Sequence, residues 1–360
     1  MGIVNAKKQL PREGIKKILV RGTNWIGDAV MTLPAVAAIR QTYPKTAITV
    51  LAKPWVAEIY RLSPDVDHVL IFEEPGLHEG IMGKFRIASM LKAASFDIAI
   101  LLQNAIEAAI ITWLADIPIR AGYDSDARGP LLTHPVHRTH AVRQIHQTDY
   151  YLEMAKALGC SPPTHGVILK PDTSCDMIAE TLLKKYGLGP QDSIIGIAPG
   201  AAYGPAKRWF PDGFASVADR LVADLSAHII LFGSSGDLDS AESVRHMTRH
   251  TVINLAGESS LREAIAMIAC CSLFISNDSG LMHISAALGV PTVAIFGSTN
   301  PATTSPVGTN NIVVYKAVPC SPCLKPVCPT DFQCMIQITP DDVYEAACKL
   351  LLNRHAPLLH

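Results

Sequence analysis

The chain has 360 residues, of which 49% are hydrophobic and 18% are charged, and its formal net charge is -1. This length favours two domains, and the near-zero net charge excludes a protein that binds nucleic acid through its overall charge. No apolar run reaches the roughly 18 residues of a membrane span, and the polar start of the chain lacks the apolar core of a signal peptide. We therefore expect a cytoplasmic protein.

The first part of the chain alternates short apolar segments with segments of helical length. The predicted strands are 16–22, 47–53, 66–72 and 96–103. A helix is predicted from Asp28 to about Gln41, where apolar residues recur at helical spacing. Such alternation is typical of parallel βαβ units. A stretch rich in Pro, Ser and Gly at 159–174 predicts a linker.

The same alternation returns after the linker. The segments 193–200, 228–237, 271–280 and 291–299 each predict a strand that runs into a glycine turn or a polar loop, and a helix is predicted at about 340–353. We expect an α/β protein with two doubly wound domains and a ligand cleft at the carboxyl ends of the strands. The predicted divisions are a first domain at 1–165, a second at 166–340, and a C-terminal segment at 341–360 whose helix packs back on the first domain.

Asp28 begins the first predicted helix at the strand end where ligands are expected to bind. An aspartate in this position commonly caps free backbone N–H groups, but it could also act as a general base. The neighbouring Gly27 favours the second role, because a residue without a side chain lets another molecule approach closely.

Three loops of the second domain favour a nucleotide. The loop 198–210 contains Gly200 and ends near Lys207, which could contact a phosphate as a point charge or lie on the surface as a solvated cation. It is not a P-loop, because GKS and GKT are missing. The loop 232–243 offers Ser234 and Asp237; this carboxylate could accept hydrogen bonds from ribose hydroxyls or face the N-terminal dipole of a helix.

The third loop is the segment "NDSGLMHISAALG" at 277–289. Ser279 and Gly280 could donate backbone N–H groups to a diphosphate at a helix start. We expect the Asp278 carboxylate to accept backbone N–H groups and so to hold the turn. His283 lies one turn further along, where a lone histidine is more often structural than functional.

Two clusters have less specific patterns. Four cysteines, Cys320, Cys323, Cys328 and Cys334, could hold zinc or an iron–sulfur cluster, or could be free thiols in a proline-rich loop. The segment 133–151 gathers six basic or imidazole side chains: His134, His137, Arg138, His140, Arg143 and His146. This face could bind an anionic acceptor or could simply be solvated.

Four segments taken together, "NWIGDAVMTLPA", "PGAAYGPAKRW", "NDSGLMHISAALGVPTVAIFG" and "PCSPCLKPVCP", resemble the ADP-heptose:lipopolysaccharide heptosyltransferases, and most nearly those of type II. The resemblance extends from about residue 16 to 347. It implies a GT-B fold of two Rossmann-like domains and an inverting glycosyltransferase that needs no metal and no cofactor. The implied donor is ADP-L-glycero-β-D-manno-heptose, and the implied acceptor is the inner core of lipopolysaccharide.

The resemblance also implies roles for single residues. Asp28 matches the proposed base, and Lys207 matches a lysine that contacts the donor diphosphate. The donor-binding turn matches Asp278, Ser279, Gly280 and His283, although threonine often replaces Ser279 in the family. Asp237 stands where some members have a ribose-binding glutamate, and its shorter side chain departs from that pattern. The cysteine loop recurs in type II proteins without a catalytic metal.

Two other functions are compatible with the residues. One is a GT-B epimerase or a transferase that uses another nucleotide sugar, and the other is a nucleotide-binding module without catalysis. A base at Asp28 distinguishes an enzyme from such a module. A lipid-linked acceptor would also bring the protein into peripheral contact with the cytoplasmic face of the inner membrane.

Overall fold

The chain forms two compact units that divide between Leu169 and Lys170, within the predicted linker. The computed structural model describes residues 3–355, and the side chains up to residue 352. Within the described residues, each unit contains one six-stranded sheet in which every strand pairing is parallel. The prediction of two doubly wound α/β domains is confirmed in this respect.

The first sheet has the strand order β3-β2-β1-β4-β5-β6. Its strands are β1 (Lys17–Arg21), β2 (Ala47–Ala52), β3 (His68–Ile71), β4 (Ile98–Leu101), β5 (Ile119–Tyr123) and β6 (His134–Val136). The four strands predicted in this part of the chain are present. The two that were missed contain residues unusual in central strands: Gly122 in β5, and Pro135 in β6 at the edge of the sheet.

Residues 3–169 of the first unit contain six α-helices: α1 (Ile26–Met31), α2 (Leu33–Thr42), α3 (Ala57–Arg61), α4 (Gly80–Ala94), α5 (Ile106–Leu114) and α6 (Gln147–Ala157). The predicted single helix from Asp28 to Gln41 is wrong, because the structure divides it at Thr32. Pro34 lies in the first turn of α2 and has no backbone N–H to continue the hydrogen bonds of α1.

The second sheet has the order β12-β11-β10-β7-β8-β9. Its strands are β7 (Ile194–Ala198), β8 (His228–Leu231), β9 (Ile253–Asn254), β10 (Leu273–Asn277), β11 (Thr292–Phe296) and β12 (Asn311–Tyr315). All four predicted strands are present. The central ones are buried on both faces, which explains their nearly continuous apolar sequences.

The helices of the second unit are α7 (Thr173–Lys185), α8 (Pro211–Leu225), α9 (Leu238–Met247), α10 (Leu261–Ala269), α11 (Gly280–Ala287), α12 (Pro301–Thr304), α13 (Gln333–Ile336) and α14 (Pro340–His355). The predicted C-terminal helix is confirmed as α14. Its residues Val343, Ala347 and Leu350 join the core of the second unit. Packing of this helix on the first domain stays a prediction, and residues 356–360 lie outside the described part of the chain.

In each sheet the central strands lead into polar loops. These loops lie on the same side of the sheet, because the carboxyl ends of parallel strands lie together. In the first unit β1 leads to the loop that carries Asp28, and in the second β7 and β10 lead to Lys207 and Asp278. Among the helices of the described residues, none is both long and apolar enough to cross a membrane.

Candidate active site

A buried arginine fixes the loop that precedes Asp28. The Arg21 guanidinium donates hydrogen bonds to the carbonyl oxygens of Gly22 and Leu51 and to Asn24 Oδ1. Burial lowers the pKa of Arg21 to about 10, so the guanidinium remains charged at neutral pH. Trp55 Nε1 donates to the Asn24 carbonyl oxygen at 2.8 Å. The loop is therefore held by side chains from β1 and from the segment after β2.

Asp28 lies in the first turn of α1 and is half-buried. Gly27 precedes it in the same turn and is also half-buried. Burial raises the pKa of Tyr151, and the negative charge of Asp28 raises it further. The Tyr151 phenol therefore stays protonated near this carboxylate. A carboxylate that borders buried groups and is still partly open to solvent has the position that a general base requires, although the capping role remains compatible with it.

A second buried arginine was not predicted from the sequence. Arg128 donates to the Tyr123 carbonyl oxygen at 2.6 Å and to Asn104 Oδ1 at 3.0 Å. Asn104 in turn donates to the Tyr150 hydroxyl at 2.8 Å. These bonds connect the carboxyl ends of β4 and β5 to α6. Sequence reasoning missed Arg128 because arginine is rarely fully buried.

Two lysines meet at the ends of β2 and β3. Lys53 Nζ lies 2.7 Å from Glu74 Oε2, and Lys84 also pairs with Glu74. Both ammonium groups lie over the ring of Phe72, at 4.2 and 4.6 Å from its centroid. Partial burial opposes ionisation of Glu74, but hydrogen bonds from the two lysines lower its pKa. This edge of the first unit is therefore densely charged.

In the second unit, Asn277 organises the turn after β10. Its side-chain oxygen accepts a hydrogen bond from the backbone N–H of Trp209 at 3.0 Å. Its side-chain amide nitrogen donates to the Pro199 carbonyl oxygen at 2.8 Å. Asn277 thus ties the serine turn, residues 277–280, to both ends of the lysine loop, residues 199–209. This role could not be predicted from the sequence, because it depends on the neighbouring positions of β7 and β10 in the sheet.

The buried Asp278 and the half-buried Lys207 form an ion pair between these two loops. Lys207 Nζ lies 2.7 Å from Asp278 Oδ2, and the Thr299 hydroxyl donates to the same oxygen at 2.7 Å. The Asp278 residue is only 5% exposed. The expectation that Asp278 accepts backbone N–H groups is therefore corrected: its carboxylate accepts from two side chains, one of which is the predicted phosphate-binding lysine.

Ser279 forms the N-cap of α11, and Gly280 is the first residue of that helix. The Ser279 hydroxyl lies 2.9 Å from the Ser276 hydroxyl, which fixes its orientation. The backbone N–H groups in the first turn of a helix lack partners within the helix, so they are available to an anion. His283 lies in the same turn and is buried. The structure thus brings Lys207 together with the predicted serine turn.

Asp237 contacts its own loop. Its Oδ2 accepts from the Ser234 N–H at 3.0 Å and from the Ser234 hydroxyl at 2.7 Å, which is a capping box. A Cβ built on Gly200 would lie 2.1 Å from Asp237 Oδ1, so only glycine fits against this carboxylate. Arg208 approaches the same oxygen at 3.8 Å. The capping contact explains Asp237 without a ligand, and its ribose-binding role stays a prediction.

The cysteine segment, residues 319–334, is hydrogen-bonded to the lysine loop. The Tyr203 hydroxyl donates to the Leu324 carbonyl oxygen at 2.9 Å, and the Ala206 N–H donates to the Pro326 carbonyl oxygen at 3.0 Å. Gly204 has a φ of 152° and would bring a Cβ within 2.3 Å of the same Pro326 oxygen. The segment therefore has a structural role that its sequence did not indicate.

The four predicted cysteines line one cavity of about 70 Å³ in the second unit. Burial raises the pKa of Cys334, and the three other thiols raise it further. Among the side chains that the structure describes, no three of the types His, Cys, Asp and Glu are arranged to hold a metal ion. The four cysteines are thus close neighbours around one cavity.

The predicted basic segment is divided between different environments. His137 Nδ1 lies 3.0 Å from Asp124 Oδ2, and Arg138 lies over the Tyr150 ring. Burial lowers the pKa of His134, which favours its neutral form. His146 forms the N-cap of α6, where its Nδ1 accepts from the Thr148 N–H. The segment is therefore not one continuous basic face.

Comparisons with known proteins support the geometry of both units. Residues 84–333 match the model of glycosyltransferase family 9 (heptosyltransferase). The lipooligosaccharide heptosyltransferase 2 of Haemophilus ducreyi is 34% identical over 83% of this chain and 88% of its own. The structure of the ADP-heptose LPS heptosyltransferase II of Escherichia coli is 28% identical, with a TM-score of 0.81 over 94% of this chain and all of that one. A family 9 glycosyltransferase from Veillonella parvula is 26% identical, with a TM-score of 0.86 over 96% of this chain and 99% of its own.

Proposed function

The chain belongs to glycosyltransferase family 9 (heptosyltransferase), and from this premise we propose that it is an ADP-heptose:lipopolysaccharide heptosyltransferase of type II. It transfers L-glycero-D-manno-heptose from ADP-heptose to the inner core of lipopolysaccharide. The relatives that support this activity are matched over most of their length, so the activity is assigned to the chain as a whole.

The observation that carries the proposal is the pairing of Lys207 with Asp278 beside the start of α11. A lysine and the N–H groups of a helix start are the groups that bind a diphosphate without a metal ion. Asp278 holds the lysine at this position, and Ser279 and Gly280 present the helix start. We assign this arrangement to the diphosphate of the donor, with Gly200, Ser234, Asp237 and His283 around it.

The reaction follows from these assignments. An acceptor hydroxyl oxygen attacks the anomeric carbon of heptose from the face opposite to ADP, while Asp28 takes the hydroxyl proton. The bond between the anomeric carbon and the diphosphate oxygen breaks, and its electron pair leaves with ADP. Lys207 and the N–H groups at the start of α11 stabilise the growing negative charge. The products are ADP and the heptosylated acceptor, with inverted configuration at the anomeric carbon.

A donor panel tests this function. The purified chain is incubated with ADP-heptose, UDP-sugars or GDP-sugars, each with and without an inner-core acceptor, and nucleotide release and sugar transfer are measured. We expect transfer only with ADP-heptose and only when the acceptor is present. Transfer from another nucleotide sugar, or epimerisation of one, would replace the proposed activity. Nucleotide binding without either reaction would indicate a binding module.

A further inference from the structure

Four thiols of the cysteine segment meet beside the lysine loop. They line one cavity of about 70 Å³, and Ala206 of the lysine loop and Ser298 of the loop after β11 line the same cavity. The four thiols belong to Cys320, Cys323, Cys328 and Cys334. Covalent chemistry at these thiols therefore takes place next to the loops of the proposed donor site.

Two hydrogen bonds connect the cysteine segment to the lysine loop. The Tyr203 hydroxyl donates to the Leu324 carbonyl oxygen at 2.9 Å, and the Ala206 N–H donates to the Pro326 carbonyl oxygen at 3.0 Å. Both acceptor oxygens belong to the stretch 324–327, which has one cysteine directly before it and one directly after it. A change in the backbone of this stretch is therefore transmitted to the loop that carries the proposed diphosphate-binding lysine.

The same stretch is bonded to a second loop of the site. The Leu324 N–H donates to the Ser298 carbonyl oxygen at 2.8 Å. Ser298 precedes Thr299, whose hydroxyl donates to Asp278 Oδ2, the oxygen that also pairs with Lys207. The cysteine segment thus contacts the loops that supply both side-chain partners of the Asp278 carboxylate.

The four thiols differ in their access to solvent. Cys320 is exposed, Cys323 and Cys328 are half-buried, and Cys334 is buried. Every residue of the stretch 324–327 is exposed. A small dissolved reagent can therefore reach three of the thiols, whereas the fourth is shielded.

Cys328 is the most reactive of the accessible thiols. The Thr330 hydroxyl lies 3.5 Å from its Sγ, and the Phe332 N–H donates to the same sulfur at 3.3 Å. These hydrogen bonds lower the pKa of Cys328, which increases the fraction of thiolate, the form that attacks a disulfide. Lys325 lines the same cavity, so an anionic reagent meets a cation there.

We propose that the cysteine segment is an oxidative modification site. A low-molecular-weight disulfide of the glutathione type converts Cys328 and one thiol of the pair Cys320 and Cys323 into an intrachain disulfide, and this disulfide weakens binding of the nucleotide-sugar donor. The inference rests on the proposed function, because that function assigns the lysine loop to the donor diphosphate.

The modification proceeds by two thiol–disulfide exchanges. The Cys328 thiolate attacks one sulfur of oxidised glutathione, and the electron pair of the broken S–S bond leaves on the second sulfur, which takes up a proton. The thiolate of Cys320 or Cys323 then attacks the Cys328 sulfur of the mixed disulfide and expels the second glutathione. Two protein thiols are oxidised, and one glutathione disulfide is reduced to two glutathione molecules.

The new bond closes a small ring around the stretch 324–327, whichever thiol of the pair reacts. A disulfide holds the Cβ atoms of its cysteines about 3.8 Å apart, so it constrains the backbone between them. We therefore expect the carbonyl oxygens of Leu324 and Pro326 to turn away from the lysine loop. The loop then holds Lys207 less firmly at the start of α11.

Peptide mapping tests the disulfide. The reduced chain is incubated with oxidised glutathione, alkylated and analysed by mass spectrometry, and we expect Cys328 to be linked to Cys320 or Cys323. In the variant Cys320→Ser/Cys323→Ser the mixed disulfide with glutathione should persist on Cys328. Cys270→Ser changes a half-buried thiol outside the cysteine segment and should form the parental disulfide. Absence of a disulfide at Cys328 would overturn the proposal, and so would a stoichiometric metal ion on these cysteines in the purified protein.

Titration with ADP tests the consequence of the disulfide. We expect the oxidised chain to bind ADP at least about fivefold more weakly than the reduced chain, because the lysine loop loses hydrogen bonds, and dithiothreitol should restore the affinity. Cys328→Ser should bind ADP like the reduced parent and should not respond to oxidised glutathione. Cys328→Ala repeats this measurement with an apolar side chain. Parental ADP affinity in the fully oxidised chain would overturn the link to the donor site.

Hydrogen exchange separates this inference from the proposed function, because it requires no ligand. The backbone N–H of Ala206 should exchange faster in the oxidised chain than in the reduced chain, whereas Cys328→Ser should show no difference. Unchanged exchange in the oxidised chain would overturn the proposal. Failure of the reduced chain to bind ADP or to transfer heptose would instead reject the proposed function, even if the disulfide formed and the exchange at Ala206 increased.

Discussion

Lys207 Nζ lies 2.7 Å from Asp278 Oδ2, although the two residues are 71 positions apart in the sequence. Only 5% of the Asp278 surface is exposed, so its charge depends on the lysine and on the Thr299 hydroxyl for compensation. A buried carboxylate that loses its cationic partner is costly. The pair therefore does two things: it neutralises Asp278, and it holds a cation beside the start of α11.

This relationship predicts coupled effects on ADP binding. Lys207→Ala removes the cation and leaves the Asp278 carboxylate without its ion-pair partner next to the proposed diphosphate site. We expect ADP affinity to fall by about ten- to a hundredfold, which corresponds to the roughly 1.5–3 kcal/mol of a charged hydrogen bond. The double variant Lys207→Ala/Asp278→Asn no longer has the carboxylate that would repel the diphosphate. Its loss of ADP-binding free energy should therefore be smaller than the sum of the losses in the two single variants.

Isothermal titration with ADP completes this double-mutant cycle. Lys184→Ala is the control, because Lys184 is an exposed lysine of α7 that pairs with Glu180 on the same helix. It should leave the affinity unchanged. Strictly additive single effects, or parental ADP affinity in Lys207→Ala, would place the lysine outside the donor site.

Asp28→Asn tests the proposed base. The amide has nearly the same shape as the carboxylate but cannot take the acceptor proton, so we expect turnover to fall at least about a hundredfold. ADP affinity and the melting temperature should stay near the parental values. Asp116→Asn changes an exposed carboxylate of the same unit and should retain full turnover. If Asp28→Asn also turns over normally, the residue is a helix-capping group and not the base.

Gly200→Ala tests the contact between the lysine loop and Asp237. The new methyl group would lie 2.1 Å from Asp237 Oδ1, so the carboxylate must leave its capping box with Ser234. We expect a loss of about 1–3 kcal/mol in the free energy of unfolding, measured by denaturant titration. Gly236→Ala is the matched control, since its nearest neighbour atom would lie at 3.6 Å. Equal stability of the two variants would contradict the contact.

The fold was largely predictable because its central strands are apolar and separated by polar loops. The prediction of secondary structure failed, among other places, at one short strand and at one helix break. β9 has only two residues, Ile253 and Asn254, and its assignment depends on pairing with β8. The break at Thr32 depends on Pro34, whose effect was hidden by the continuing apolar spacing. The edge strand β9 is determined by a pairing that its own segment does not contain, whereas the helix break is a local effect of Pro34.

The candidate site was predictable in part because its residues follow parallel strands. Lys207 and Asp278 were each placed at a strand end, and the parallel sheet brings those ends together. Their mutual pairing was not predicted, because the sequence does not reveal which loop side chains face each other. Arg21 and Arg128 were missed altogether. Their burial depends on carbonyl oxygens supplied by several strands and loops, which only the folded chain provides.

Chelation tests the metal-free mechanism. The proposed diphosphate site consists of Lys207 and a helix start, and magnesium instead prefers several carboxylate and phosphate oxygens. We expect heptose transfer to continue at the parental rate in excess EDTA, measured by ADP release. Loss of activity that magnesium or manganese restores would contradict the mechanism. Restoration by zinc alone would indicate a structural metal at the four clustered cysteines, which metal analysis of the purified protein would detect.

The cysteine segment contains one thiol with an unusual environment. The Thr330 hydroxyl lies 3.5 Å from Cys328 Sγ, and the Phe332 N–H donates to the same sulfur at 3.3 Å. These hydrogen bonds, that of Thr330 first, lower the pKa of Cys328. Cys270 is similarly half-buried, but burial raises its pKa. The pKa values of these two half-buried thiols are therefore shifted in opposite directions.

The pH dependence of alkylation should separate these two thiols. Iodoacetamide reacts with the thiolate, so a lowered pKa shifts the rise in labelling rate to lower pH and a raised pKa shifts it to higher pH. We expect the midpoint for Cys328 to lie below the ordinary value of about 8.5 and that for Cys270 to lie above it, measured by peptide mass spectrometry from pH 6 to 10. Thr330→Val removes the hydroxyl at an exposed position and should move the Cys328 midpoint upward while leaving Cys270 unchanged. Equal midpoints for the two thiols, or no response of Cys328 to Thr330→Val, would show that these hydrogen bonds do not stabilise the thiolate.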